Sequence, residues 1–88
     1  MWTNRRVEAK ADLESLCSTL ESLVESPSDN EVRAHSRHLA HQLAGAFGIF
    51  GFAETKAKMA AIDIELSDPD TPIQTLLVSA REVIASLP

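Results

Sequence analysis

Apolar side chains recur every three or four residues along most of the chain, which is the spacing of one face of an α-helix. A first helix is predicted from about Asn4 to Glu25, with an apolar face of Leu13, Leu16, Cys17, Leu20, Leu23 and Val24. The Ser26-Pro27-Ser28 sequence ends it, and Ser28 with Glu31 matches a capping box that begins a second helix. The inward stripe of that helix is predicted as Val32, Leu39, Leu43, Ala46 and Phe50.

Two further amphipathic segments follow the second helix. The third helix is predicted from about Phe52 to Leu66, with Phe52, Thr55, Met59, Ile62 and Leu66 facing inward. After a turn at residues 67–70, Thr71 is predicted to cap the fourth helix, with Pro72 at its first position. Its apolar face is Ile73, Leu76, Leu77, Ala80, Val83, Ile84 and Leu87. Short connections favour antiparallel neighbours, so residues 1–88 are predicted to form one all-α domain, an antiparallel up-down four-helix bundle.

Composition narrows the functional classes. The net charge of −5 argues against nucleic-acid binding, and 44% hydrophobic residues are typical of a globular protein. The chain has no apolar run long enough to span a membrane, and its N-terminal sequence lacks the apolar region of a signal peptide. The single cysteine, Cys17, cannot form an internal disulfide and is predicted to lie in the core. We therefore expect a cytoplasmic protein.

Residues 40–52 read Ala-His-Gln-Leu-Ala-Gly-Ala-Phe-Gly-Ile-Phe-Gly-Phe. Leu39 and Leu43 are each two positions from His41, so each points about 160° away from it around the helix axis. If these leucines face the core, His41 faces solvent. Its outward neighbours are then expected to be Arg37, Ala44, Gly45 and Gly48. A glycine inside a helix costs roughly 0.5–1 kcal/mol relative to alanine, which suggests that Gly45 and Gly48 keep the surface beside His41 accessible.

This segment resembles the histidine-containing phosphotransfer (HPt) domain, whose pattern is roughly Ala-His-x-Leu-Lys-Gly followed by small residues and a later glycine. The similarity is greatest to the HPt domain of chemotaxis histidine kinases, which also has a Gly-x-Phe-Gly-Phe run, here residues 48–52. The resemblance implies that His41 is the phosphoacceptor, through one ring nitrogen, expected to be Nε2. It also places Asp63 where these domains carry an orienting carboxylate on the next helix. The alternative for Asp63 is a solvated helix residue.

The sequence departs from the HPt pattern at Ala44, where the family usually has a lysine that helps to neutralise the phosphoryl group. Arg37, or Lys56 and Lys58 reaching across from the third helix, are candidates to supply that charge. The other interpretation is a degenerate domain that binds signalling partners without carrying phosphate. Phe47 and Ile49 are each candidates either for partner contact or for the core.

The function that the resemblance implies is that of a phosphocarrier in a multistep His-Asp relay. The chain has neither a Walker loop nor a nucleotide-binding glycine pattern, so the phosphoryl group is expected to arrive from a partner. The expected partners are response-regulator receiver domains and an upstream sensor or hybrid histidine kinase. No cofactor is expected on this chain, and the Mg²⁺ that assists transfer is expected on the receiver. A monomer is expected, with no nucleic acid or membrane as a partner.

Two other functional classes are consistent with parts of the sequence. The first is a helical adaptor, in which the glycines form a packing groove and His41 has no chemical role. The second is a metal site built from His35, His38 and His41. Residues three apart on a helix can share a metal ion, but residues six apart are about 240° apart around the axis, so all three cannot converge. His35 and His38 are therefore predicted to be surface residues.

Overall fold

The structure, a computed structural model, describes residues 2–68 and 70–86, with side chains from Arg5 onward. The described residues form four helices and no strand: α1 (Trp2–Glu25), α2 (Asn30–Ile49), α3 (Ala53–Leu66) and α4 (Ile73–Ser86). Each helix packs against the next, and α4 closes the bundle against α1. The all-α four-helix prediction is confirmed. Within this part of the chain, no helix is long and apolar enough to cross a membrane.

Contacts between α2 and α3 show that these two helices run in opposite directions. Arg33 of α2 contacts Leu66 at the end of α3, Arg37 contacts Asp63, and Gly48 lies beside Lys56 near the start of α3. Residue numbers therefore rise along α2 as they fall along α3. The end of the bundle where α2 ends is thus the end where α3 begins.

The core is built from the predicted faces of α1, α3 and α4. Its largest fully buried apolar side chains are Phe47, Leu13, Leu16, Leu20, Leu23, Leu43, Met59, Ile62, Leu66, Leu76 and Val83. Cys17 is buried among them, as predicted. Predicted core residue Leu87 lies outside the described residues. Four other residues predicted to face inward are only partly buried: Val24, Phe52, Thr55 and Ile84.

The buried face of α2 differs from the predicted stripe. Its buried residues are Ser36, Leu39, Ala40, Leu43, Ala44 and Phe47, whereas Val32, Ala46 and Phe50 are only half-buried. The reason is that α2 packs against both α1 and α3, so its buried arc extends toward α3 beyond the line through the leucines. The Ser36 hydroxyl lies within this arc, 2.9 Å from both Thr19 Oγ1 and the Val32 carbonyl oxygen.

The predicted starts of α2 and α4 each lie one residue too early, as does that of α3, which begins at Ala53. Asp29 is the N-cap of α2 in place of Ser28, because its carboxylate accepts hydrogen bonds from the backbone N–H groups of Glu31 and Val32 at 3.1 and 3.2 Å. Helix α4 begins at Ile73, so Pro72 precedes the helix instead of occupying its first position. None of these differences changes which helix faces meet.

Candidate functional site

His41 lies in the second half of α2 with its side chain 80% exposed. Leu39 and Leu43 are both buried, and the helical rotation of 100° per residue therefore turns His41 outward, as the sequence predicts. His35 and His38 are also exposed. No group of three His, Cys, Asp or Glu side chains among the described residues has the arrangement needed to hold a metal ion.

Asp63 of α3 faces the His41 ring. One carboxylate oxygen, Oδ2, is 3.6 Å from His41 Nδ1, and the Asp63 side chain is only 23% exposed. The separation is longer than a hydrogen bond, so the carboxylate faces Nδ1 as an ion-pair partner without accepting a hydrogen bond from it in this structure. A carboxylate at Nδ1 favours the tautomer that carries its proton on Nδ1, which leaves the lone pair on Nε2.

Arg37 holds the other oxygen of the same carboxylate. Its Nε donates to Asp63 Oδ1 at 3.2 Å, and the Arg37 side chain is about half exposed. Arg37, His41 and Asp63 together line a shallow surface depression, with Ala34 and His38 completing its wall. The structure therefore brings together three of the residues that the sequence singles out, from two different helices.

The three glycines after His41 have three different environments. Gly45 is exposed, and apart from the local backbone of α2 and the adjacent residues a Cβ added there would meet nothing within 4 Å. This position agrees with the open surface expected beside His41. At Gly48 a Cβ would lie 3.1 Å from Lys56 Cδ and 3.4 Å from Lys56 Nζ. Gly48 therefore gives room to the Lys56 side chain, which reaches from α3 onto the surface of α2.

Gly51 terminates α2 and is not part of the surface beside His41. Its φ of +80° is the left-handed conformation that favours glycine. The Gly51 N–H donates to the Gly48 carbonyl at 3.3 Å, and the Phe52 N–H donates to the Phe47 carbonyl at 2.9 Å. Together these bonds form a Schellman motif, and the edge-to-face contact of the Phe47 and Phe52 rings provides its usual apolar contact.

Ala44 is the clearest correction within the site. The expectation that it borders His41 on the outer surface is wrong, since Ala44 is only 8% exposed and belongs to the core. It lies on the side of α2 that packs toward α3, about 60° around the axis from His41. A lysine side chain at this position would have to extend out of the α2–α3 interface to reach solvent.

The two candidate partner-contact residues have opposite environments. Phe47 is fully buried and contacts Phe52, so it belongs to the core. Ile49 is 82% exposed at the end of α2, where it lines a groove with Arg5 of α1 and with Gly45. Only Ile49 is therefore available for contact with another molecule.

Arg33 is a structural residue that the sequence pattern does not single out. Its guanidinium donates to the Leu66 carbonyl at the end of α3 and to the Pro27 carbonyl in the α1–α2 connection, at 2.8 and 3.2 Å. These bonds fix the start of α2 relative to the end of α3. They help to hold Arg37 and Asp63, one turn farther into the bundle, in register.

No protein-family model, curated protein or solved structure matches this chain.

Proposed function

We propose that this chain is an HPt-like phosphocarrier in which His41 accepts a phosphoryl group from the aspartyl phosphate of a receiver domain and passes it to another receiver. The observation that carries the proposal is the Asp63 carboxylate at Nδ1 of an exposed histidine. An imidazole with its proton held at Nδ1 has its nucleophilic lone pair on Nε2. Because the ring is exposed, a second protein has access to that nitrogen.

The transfer step follows from this arrangement. Nε2 attacks the phosphorus of the aspartyl phosphate, an N–P bond forms, and the P–O bond to the aspartate breaks. The receiver's aspartate leaves as a carboxylate. The phosphorylated ring keeps its Nδ1 proton and becomes positively charged, and Asp63 stabilises that charge. The Mg²⁺ that neutralises the phosphoryl oxygens belongs to the receiver, and the reverse of this step delivers the group to the next receiver.

The resemblance between residues 40–52 and the HPt pattern supports the same proposal. An upstream sensor or hybrid histidine kinase is the proposed source of the phosphoryl group in the relay. The alternative is a helical adaptor that binds signalling partners without being phosphorylated. The exposed Ile49 beside Gly45 is the feature that favours an adaptor, because it offers an apolar contact that needs no chemistry at His41.

The test is incubation of the protein with a panel of phosphorylated receiver domains, followed by measurement of label on this chain. We expect label that is stable in base and labile in acid, as a phosphorus–nitrogen bond is. His41→Gln is expected to abolish labelling without changing the helical circular dichroism signal.

His38→Gln is the matched control, since His38 is also exposed and lines the same depression. It is expected to keep normal labelling. Label on the His41→Gln protein, or its loss from the His38→Gln protein, would contradict the assignment of His41. Binding of receivers without any labelling of the unchanged protein would favour the adaptor.

A further inference from the structure

The charged residues of this chain are distributed unequally between the two ends of the bundle. Helices α1 and α3 both begin at the end where α2 terminates, since Arg5 of α1 lies beside Ile49 and Lys56 of α3 beside Gly48. The first two or three turns of these helices carry five of the eight Lys and Arg residues of the chain: Arg5, Arg6, Lys10, Lys56 and Lys58. The acidic residues at the same end of these two helices are Glu8, Asp12 and Glu54, and Glu8 is paired with Arg5.

The opposite end of the bundle is strongly acidic. The end of α1, the start of α2 and the residues from the end of α3 to the start of α4 carry Glu21, Glu25, Asp29, Glu31, Glu65, Asp68 and Asp70. Two cations lie among them: Arg33, whose guanidinium donates to the Leu66 and Pro27 carbonyls, and Arg81, which pairs with Glu21 at 2.8 Å. The net charge of −5 therefore resides at this end, and the bundle has a charge asymmetry along its 38 Å axis.

The surface of α2 at the cationic end also has an apolar centre. Ile49 is 82% exposed, and Gly45 beside it has open space where a side chain would be. Lys56 lies across Gly48 on one side, and on the other Arg5 and Asp12 line the groove with Ile49, so Lys56 provides the unbalanced positive charge of this surface. We call these five residues, Arg5, Gly45, Gly48, Ile49 and Lys56, the α2 docking surface.

We propose that the α2 docking surface binds an acidic partner, and that this partner is the receiver domain itself, which Lys56 attracts and Ile49 anchors. The inference rests on the proposed function. A receiver's reaction centre carries an aspartyl phosphate and the carboxylates that hold Mg²⁺, and these negative charges together exceed the two positive charges of the ion, so its approaching face is anionic. The acidic end of the bundle repels such a face and the cationic end attracts it. The asymmetry therefore orients the partner toward the half of α2 that follows His41.

Gly48 contributes to this surface by letting the Lys56 side chain lie flat on α2. The Cδ, Cε and Nζ atoms of Lys56 all lie within 3.4 Å of the position that a Gly48 Cβ would occupy. The ammonium is thereby held over α2, on the side of the helix that His41 shares with Gly48. Lys58 is two residues away on α3, so its side chain points about 160° away from that of Lys56 around the helix axis.

This geometry provides a matched pair of variants. Lys56→Glu and Lys58→Glu make the same change in net charge on the same helix and at the same end, and both side chains are exposed. The measurement is the rate of phosphoryl transfer from the receiver domain that labels His41 fastest. The rate is measured at a limiting and at a saturating concentration of the receiver. Each measurement is repeated from about 0.01 M to about 1 M salt, a range over which the Debye length falls from about 30 to about 3 Å.

At low salt, Lys56→Glu is expected to lower the second-order rate constant about tenfold relative to Lys58→Glu, and the difference should vanish at high salt. The rate at saturating receiver should change little, because Lys56 steers the partner without touching the imidazole. Lys56→Arg should retain the rate of the unchanged protein. Equal effects of Lys56→Glu and Lys58→Glu would overturn the proposal, and so would a loss confined to the saturated rate.

The apolar part of the surface has its own matched pair. Ile49→Ser is expected to raise the receiver concentration needed for half-maximal transfer several-fold at every salt concentration. Ile64→Ser removes the same side chain from a position on α3 that is 69% exposed, and it should have no such effect. Equal effects of the two variants would refute the anchoring role of Ile49.

Two further outcomes distinguish failure of the docking surface from failure of the proposed function. Failure of every phosphorylated receiver to label the unchanged protein would refute the proposed function, and with it the docking surface. Normal labelling with no dependence on Lys56 or Ile49 would refute only the docking surface. Concentration-dependent self-association that Lys56→Glu abolishes would show that the occupant is the acidic end of a second copy instead of a receiver.

Discussion

The Arg37 guanidinium and the Asp63 carboxylate form an ion pair across the α2–α3 interface, with 3.2 Å between Nε and Oδ1. The second oxygen of that carboxylate is the one that faces His41 Nδ1. The charge of Arg37 is thus directed at the group behind the imidazole, on the side away from Nε2. This geometry favours a positioning role for Arg37 over the role of the cation that replaces a lysine at position 44.

This relationship predicts how the two partners differ in their importance for transfer. Asp63→Asn removes the negative charge that faces Nδ1, and we expect the transfer rate at saturating receiver to fall about five- to tenfold. Arg37→Ala leaves the carboxylate in place but less restrained, so a smaller loss is expected. Single-turnover labelling of His41 measures both effects.

Arg81→Ala is the control for these variants. Arg81 also pairs with a carboxylate on another helix, that of Glu21 at 2.8 Å, and both side chains of the pair are exposed. It should leave transfer unchanged. A larger loss from Arg37→Ala than from Asp63→Asn would show that Arg37 acts directly on the phosphoryl group.

Gly45 offers a test of access to His41. Gly45→Leu adds a branched side chain one turn beyond the imidazole, where nothing apart from the local backbone of α2 and the adjacent residues lies within 4 Å of the added Cβ. Folding should survive, and thermal stability should stay equal or rise, because leucine has a higher helix propensity than glycine. If His41 is the phosphoacceptor, transfer is expected to fall sharply, since the proposed mechanism requires the receiver to come within bonding distance of Nε2.

Gly45→Ala is the matched variant for Gly45→Leu, with a side chain too small to block the partner. It should gain the stability and keep most of the transfer rate. Thermal denaturation and receiver-dependent labelling of both proteins distinguish steric obstruction from a change in the helix. Unchanged transfer in Gly45→Leu would show that the partner does not approach over this position.

Gly51→Ala is expected to lower the stability of the protein, whereas Gly45→Ala should raise it. Gly51→Ala places an L side chain at a φ of +80°, which costs about 1–2 kcal/mol of folding free energy. For a domain of this size, that loss lowers the melting temperature by about 4–8 °C per kcal/mol. The contrast with Gly45→Ala, which replaces a glycine in the same segment, is measured by thermal denaturation. Equal melting temperatures for these two alanine variants would contradict the Schellman assignment.

Cys17 predicts a pH dependence of stability. Burial raises the pKa of its thiol above the ordinary value, and the nearby Arg81 guanidinium offsets part of that rise. The thiol of the unfolded chain therefore ionises at lower pH than the thiol of the folded chain. The contribution of the neutral thiol to the free energy of unfolding is therefore fully present below the pKa of the unfolded chain's thiol. It is lost as the pH rises through the higher pKa of the folded protein's thiol.

The effect is measured as the free energy of unfolding at a series of increasingly alkaline pH values. Cys17→Ala is the control, because it lacks only the titrating thiol. The unchanged protein should lose stability more steeply than the control as the pH passes the ordinary thiol pKa. The same burial predicts slow alkylation of Cys17 in the folded state and fast alkylation in denaturant. Parallel pH profiles for the two proteins would contradict the shift.

The sequence by itself determined the number of helices, their approximate bounds and the outward direction of His41. Each of these follows from local rules: apolar spacing at the helical period, helix-breaking residues between segments, and a 100° rotation that separates His41 from Leu39 and Leu43. The Schellman motif also has a local signal, because Phe47 precedes Phe52 by five residues with Gly51 between them. The end of α2 at Gly51 can therefore be recognised from the spacing of these three residues in the sequence.

Only the tertiary structure decided how α3 lies on α2, and this placement controls the rest of the site. It buries Ala44, which the helical period alone leaves at the edge of the outer surface. It brings Asp63 to Arg37 and His41, and it lays Lys56 over Gly48. These contacts join residues that are distant in sequence, and they depend on the rotation and register of two packed helices. Intrahelical periodicity fixes neither of these quantities, because it describes each helix about its own axis.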